Sequence, residues 1–261
     1  MDYYTNVISY GNSILIRGVR NGERTTARNK YQPTLFVPTQ KETQYKTLDG
    51  RSLTPVKQQS IKHSKEFLSQ YENQQNLIYG MTRYNFQYIS DNWRGDIKWN
   101  IDNILIVTID IEVASDNGFP KVEDSAEELL SISIKNHQSK KLVVFGIGEY
   151  VNSREDVSYV KCDTEVELLK KFLTFWESNK PDVVTGWNSK FYDLPYLIHR
   201  IKILFGEDEV KRLSVWKTVY KDNVYISGKE HICYNVFGLE QLDYLDLYKK
   251  FTYSAQESYR L

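Results

Sequence analysis

Asp110 and Glu112 are the pair on which chemistry could rest. They stand in the run Asn103-Ile104-Leu105-Ile106-Val107-Thr108-Ile109-Asp110-Ile111-Glu112-Val113. Its β-branched composition predicts a strand buried on both faces. Residues i and i+2 of a strand project from the same face, so both carboxylates point one way while Ile109, Ile111 and Val113 pack on the other. Two adjacent anions in an apolar strand repel each other and lose hydration, a cost that a hard divalent cation relieves. An all-oxygen site suits Mg²⁺ or Mn²⁺, whereas zinc would want His or Cys. The tripeptide is also compatible with acids that are simply solvated at a strand end or paired to basic side chains.

A third acid comes from Gly186-Trp187-Asn188-Ser189-Lys190-Phe191-Tyr192-Asp193. This stretch joins a strand predicted over 182–186 to a helix predicted over 194–205, the place where open α/β sheets usually hold their ligands. Asp193 can therefore reach the same end of the sheet as Asp110 and Glu112. Its alternative role is helix N-cap, and that of Asn188 is a turn residue.

The elements that must position these residues can be read around them. Leu129 to Lys135 and Leu142 to Ile147 give further predicted strands. Thr164-Glu165-Val166-Glu167 is a capping box, followed by Leu168, Leu169, Phe172, Leu173 and Trp176 as the apolar stripe of a helix that Pro181 ends. Gly206 closes the helix over 194–205. The order β-β-β-α-β-α predicts an α/β domain with a mixed sheet over residues 102–261. A hairpin is predicted over 224–234, turning at Ser227-Gly228-Lys229.

Residues 1–101 read as a smaller, β-rich α+β domain. Asn21-Gly22 between two apolar runs is a hairpin signal, because both turn residues need positive φ. A helix is predicted over 60–73, and strands over 84–89 and 97–100.

The 261 residues carry 34 Lys plus Arg and 34 Asp plus Glu. A net charge of zero excludes a globally basic nucleic-acid coat or an acidic solvating tail. The zero hides a segregation: the first 65 residues hold eleven bases against four acids, and residues 102–130 hold eight acids against one base. Aromatic residues make up 14% of the chain, against the pattern of disorder. No apolar stretch is long enough for a spanning helix, so no membrane partner is expected. Cys162 and Cys233 form no metal-binding spacing and read as inert thiols in a reducing compartment.

Asp110-Ile111-Glu112 resembles the first motif of DEDD-type 3′→5′ exonucleases, which have a ribonuclease H-like fold. Asn188 to Asp193 resembles their second motif, an Asn followed by an aromatic-Asp pair. Thr185-Gly186-Trp187-Asn188, Phe191-Tyr192-Asp193-Leu194-Pro195-Tyr196 and Leu242-Asp243-Tyr244-Leu245-Asp246-Leu247-Tyr248-Lys249-Lys250-Phe251 narrow the resemblance to family B DNA polymerases of T-even-type bacteriophages. Tyr31-Gln32-Pro33-Thr34-Leu35-Phe36 and Tyr88-Ile89-Ser90-Asp91 extend it to the N-terminal region.

The resemblance implies a proofreading nuclease. Asp110, Glu112 and Asp193 would be the catalytic acids and would hold two Mg²⁺ or Mn²⁺ ions for in-line phosphodiester hydrolysis at the 3′ end of a DNA primer. Phe119, Asn188 and Phe191 would meet single-stranded DNA. Phe119 matches an aromatic that stacks on the frayed end, and its alternative is an ordinary loop anchor. The hairpin over 224–234 would help separate primer from template; it is also compatible with a plain surface hairpin. The N-terminal domain is associated with RNA in related phages, which nominates Arg17, Arg20, Arg24, Arg28 and Lys30 for phosphate contacts, against the alternative of a solvated hairpin face. The host bacterial cytoplasm is the implied location.

The family also needs a fourth acid in a Y-x-x-x-D motif after the second motif. Tyr253 with Glu257 is the nearest approach, and Tyr159 with Asp163 falls too early in the chain. The D-T-D signature of the polymerase site is absent as well. The chain is therefore expected to be an N-terminal fragment or subunit whose partner is the remaining C-terminal polymerase portion, with weak or no hydrolysis alone. The competing readings are a non-catalytic single-stranded DNA- or RNA-binding module and an assembly subunit of a split polymerase.

Overall fold

The computed structural model describes every residue except 75, 76, 117, 227 and 253–261. The chain divides into two compact units, Met1–Asn100 and Ile101–Leu261.

In the first unit, β1 (Tyr3–Tyr10), β2 (Ser13–Arg20) and β3 (Glu23–Lys30) form an antiparallel meander. Asn21 and Gly22 turn β2 into β3 with φ of 52° and 82°, as the hairpin signal requires. A second antiparallel sheet has the order β4 (Thr34–Pro38), β6 (Ser52–Lys57), β5 (Tyr45–Lys46). Helix α1 (Ile61–Ser69) starts at Ser60, whose side chain accepts from the His63 amide, and is shorter than the 60–73 predicted.

Two predicted strands of this unit are corrected. Residues 84–89 lie in helix α2 (Tyr84–Asn92), and residues 97–100 form no strand. The sequence Tyr84-Asn85-Phe86-Gln87-Tyr88 alternates aromatic and polar residues, which mimics a half-buried strand. The buried residues are instead Tyr84, Gln87 and Tyr88, at i, i+3 and i+4, the face of a helix. Tyr84 and Tyr88 pack with Ile14, Ile16, Tyr31 and Ile61 in the core of the unit.

The second unit is built on a six-stranded mixed sheet. Its strands are β7 (Ile106–Val113), β8 (Leu129–Asn136), β9 (Leu142–Ile147), β10 (Val157–Cys162), β11 (Val183–Gly186) and β14 (Glu240–Asp243), in the order β10-β9-β8-β7-β11-β14. The pairs β7/β8 and β8/β9 are antiparallel; β9/β10, β7/β11 and β11/β14 are parallel. Strands β10 and β14 were not predicted. Helix α3 (Glu165–Asn179) buries Leu168, Leu169, Phe172, Leu173 and Trp176, the stripe read from the sequence. Helix α4 (Asp193–Phe205) is followed by a single turn, α5 (Glu207–Val210), and by the hairpin β12 (Val219–Ile226) and β13 (Lys229–Val236). This hairpin is longer than predicted, and Ser227 at its turn lies outside the described residues. Helix α6 (Tyr244–Phe251) follows β14 directly.

Strands β7, β8 and β11 and helices α3 and α4 share one core that includes Ile109, Ile111, Ile132, Phe172, Leu197 and Ile201. Cys162 and Cys233 are buried free thiols, and burial raises both above the ordinary thiol range. Among the described residues no helix is long and apolar enough to cross a membrane.

Candidate active site

Strand β7 alternates as its sequence demands. Ile109 and Ile111 are buried, while Asp110 and Glu112 are exposed on the opposite face. Their partners across the antiparallel pair are Ser133 and Ser131, and the register shifts between Glu112 and Val113. Such a bulge re-aims the side chains at the end of a strand.

The other neighbour of β7 is shorter. Strand β11 pairs with Ile106, Val107 and Thr108 only, so among the described residues the edge of β7 beyond Thr108 has no strand beside it on that side. A side chain takes over there: the amide of Ile111, the residue between the two acids, donates to Asp193 Oδ1 at 3.1 Å. Asp193 begins α4 and is 4% exposed. The N-cap position belongs to Tyr192, which makes no side-chain cap bond; the carboxylate of Asp193 reaches β7, and its own backbone N–H also favours its charged form.

The chain can make this approach because of the turn that precedes it. A Cβ on Gly186 would lie 2.7 Å from the Ile109 carbonyl oxygen and 2.7 Å from the Ser189 side chain, so only glycine fits. Asn188 takes the left-handed conformation at φ 61°, which Asn tolerates better than most residues.

Helix α4 is fastened at several points. Arg200 Nε donates to Glu165 Oε1 at 2.7 Å, its Nη2 pairs with Oε2, and its Nη1 reaches the Ser125 carbonyl at 3.0 Å. Tyr196 donates to the Glu127 carbonyl at 2.8 Å. His199 Nδ1 donates to the Val122 carbonyl and its Nε2 accepts from Tyr234, each at 2.7 Å, so the ring is the neutral Nδ1–H tautomer; burial keeps it below the ordinary histidine range. Through these bonds the segment 122–127, the hairpin and α3 all bear on the helix that carries Asp193.

The electrostatics are those of crowded anions. Burial, and then the charge of Asp110, push the Asp193 carboxyl up to about 7. Desolvation also raises Asp110. Burial first, with Tyr196, Asp193 and Glu112 adding to it, moves the Tyr192 hydroxyl up to about 12, so it remains a donor at neutral pH. Among the described residues no three His, Cys, Asp or Glu side chains converge closely enough to share one metal ion. The chemistry of the three carboxyl groups is nevertheless that of hard oxygen donors, with desolvation opposing ionisation at Asp110 and Asp193 and the Asp110 charge adding to it at Asp193.

Phe119 is 82% exposed, and its ring lies 5.6 Å from that of Tyr192 at an interplanar angle of 38°. Phe191 turns elsewhere: its ring lies 5.4 Å from His231 on the hairpin, with Lys190 Nζ 5.2 Å from its centroid. The basic residues of the first unit are divided. Arg20, Arg24, Arg28 and Lys30 are exposed, whereas Arg17 is 4% exposed and is withdrawn from any row of surface cations. The sequence patterns that nominate site residues pass over Tyr192 and Asp243. Asp243, 5% exposed, sits at the foot of α6 and accepts from three backbone amides. An Asp immediately before an apolar-periodic run is an N-cap signal, and it was available in Asp243-Tyr244-Leu245.

The family described as DNA polymerase family B, exonuclease domain, matches residues 52–261. The chain belongs to this family. A DNA-directed DNA polymerase of Escherichia phage RB69 is 31% identical over all of this chain and 32% of its own length. The DNA-directed DNA polymerase of Enterobacteria phage T4 is 28% identical over the same shares. The DNA polymerase delta catalytic subunit of Candida albicans is 30% identical over 56% of this chain and 15% of its own. The chain thus spans about a third of the length of the phage polymerases it matches. The mixed α/β sheet with its helices agrees with the family B exonuclease domain.

Proposed function

We propose that this chain carries the 3′→5′ proofreading exonuclease site of a phage replicative polymerase, with Asp110, Glu112 and Asp193 as its acids. The observation that supports it most is the bond from the Ile111 amide to Asp193, which brings the second-motif acid onto β7 between the two first-motif acids. Mg²⁺ or Mn²⁺ held there would neutralise the charge on the scissile phosphate and lower the pKa of a water. Asp193 is held by Ile111, and Tyr192 keeps its proton beside the acids. Phe119 with Tyr192 offers an aromatic surface on which any unpaired base can stack. The substrate is the 3′ end of a DNA primer as single-stranded DNA. The partner is the C-terminal polymerase portion, and the setting is the cytoplasm of the infected host. Residues 1–101 form a separate small α+β domain, and 102–261 the nuclease domain.

Mn²⁺ binding and trimming of a 5′-labelled single-stranded oligonucleotide test this reading. The wild-type chain binds Mn²⁺ and trims slowly, and Asp110→Ala loses both. Binding and trimming that survive Asp110→Ala overturn the assignment.

A second reading, a single-stranded DNA or RNA module, draws on Arg24, Arg28 and Lys30, which share one exposed face of β3. Phosphate contacts there give RNA affinity that falls steeply with salt, and a shallower slope when the three are replaced by Ala. An unchanged slope removes this reading.

A further inference from the structure

Asp243 belongs to no motif assigned to the chemistry, yet it is a buried carboxylate with a specific set of partners. Its Oδ1 accepts from the amides of Asn188 at 3.0 Å and Leu245 at 2.9 Å, and its Oδ2 accepts from Lys190 at 2.9 Å. The Leu245 bond caps α6. The other two reach 55 and 53 residues back along the chain, to the turn between β11 and Asp193. A cap for α6 requires only the first bond.

The turn needs such a hold. Asn188 is in the left-handed region, and the amides of Phe191 and Tyr192 both bond back to its carbonyl, at 3.1 and 3.0 Å. Leu194 donates to the Ser189 carbonyl at 3.0 Å. The orientation of residues 188–190 therefore sets where the chain enters α4, and with it where the Asp193 carboxylate meets β7. Strand β14 is parallel to β11, with Asp243 opposite Gly186, so the register of the sheet delivers Asp243 to the base of this turn.

We propose that Asp243 is a positioning residue of the exonuclease site, clamping the 188–190 turn so that Asp193 is held against the Ile111 amide between Asp110 and Glu112. The proposal rests on the exonuclease reading for its consequence, but the clamp itself is observable without it.

Two substitutions separate the clamp from the helix cap. Asp243→Ser keeps a hydroxyl that can cap Leu245 but is too short to reach Asn188 and Lys190 as well. Asp243→Asn keeps Oδ1 and places an amide NH₂ against the Lys190 N–H, breaking that bond alone. Hydrogen exchange of the Ile111 amide, followed by NMR in the full chain, reports the position of Asp193 from a different strand. The expected result is exchange at Ile111 faster by about tenfold or more in Asp243→Ser, and by a smaller factor in Asp243→Asn, relative to Val107 and Ile109 on the same strand. A purely structural role for Asp243 would change exchange along β7 uniformly or not at all, and either outcome overturns the proposal. Mn²⁺ affinity measured in parallel falls in both variants. If it is unchanged even in Asp110→Ala, the exonuclease reading fails while Ile111 exchange still decides the clamp.

Discussion

Replacing Asp193 by Asn should stabilise the protein above neutral pH while removing one of the three acids proposed for the exonuclease site. The native carboxyl is pushed up to about 7 by burial and by Asp110, against an ordinary value of 3.8. Between these two values the folded chain holds a proton that the unfolded chain has released, so folding stability falls as pH rises from about 4 to about 7. At 1.36 kcal/mol for each unit of pKa, the full loss is about 4 kcal/mol at alkaline pH. The substituted amide has the same shape, keeps an oxygen for the Ile111 N–H and never ionises. Urea unfolding of wild type and Asp193→Asn at 25 °C, from pH 4 to 8.5, measures the difference. The two should be nearly equal at pH 4, with Asp193→Asn more stable by roughly 2–4 kcal/mol at pH 8.5. Mg²⁺ should recover stability for the wild type and less for the variant, because only binding to the folded state shifts the equilibrium. A difference that stays flat with pH, or a variant less stable at pH 8.5, would refute the argument that Asp193 is a carboxylate held against its own ionisation.

Three further outcomes follow from the packing. Glu165→Ala strands Arg200, whose side chain is 10% exposed, and should cost about 3–5 kcal/mol in urea unfolding; a loss below about 1 kcal/mol would mean the pair is not a fastening of α4. Gly186→Ala places a methyl 2.7 Å from the Ile109 carbonyl and should cost about 1–3 kcal/mol, with the Ile111 amide shift moving in the NMR spectrum; an unmoved resonance counts against the tight turn. Phe119→Ala should leave stability within about 0.5 kcal/mol, since the ring is 82% exposed, and weaken binding of a single-stranded oligonucleotide by about fivefold or more; equal binding excludes Phe119 as a stacking platform.

The parts of the fold that the sequence made legible are those with a local period. The alternation of β7, the stripe of α3 and the Asn21-Gly22 turn each carry their signal within a few residues. Helix α2 was misread because its aromatic spacing fits both periods, and only the burial of Gln87 beside Tyr88 separates them. Strand β14 has four residues, too few for a period, and β10 lies at the edge of the sheet with exposed Ser158 and Lys161. The burial of Arg17 is tertiary, since a lone basic residue in a strand reads as surface until the packing over it is known. Asp110, Glu112 and Asp193 could be picked out by charge and place. The bond from the Ile111 amide to Asp193 could not, because it joins residues 82 apart, and neither could the hold of Asp243 on a turn more than fifty residues earlier.

Strand β7 divides its labour by parity. Its odd residues, Ile109 and Ile111, are locked into the core, and its even residues, Asp110 and Glu112, turn their side chains outward, away from that core. Chemistry and architecture are therefore nearly independent along this one segment. Under the proposed exonuclease assignment, an inactive form needs only an outward substitution, which leaves the core of β7 intact. A strand divided in this way can be re-equipped at its even positions without redesign of the scaffold behind it.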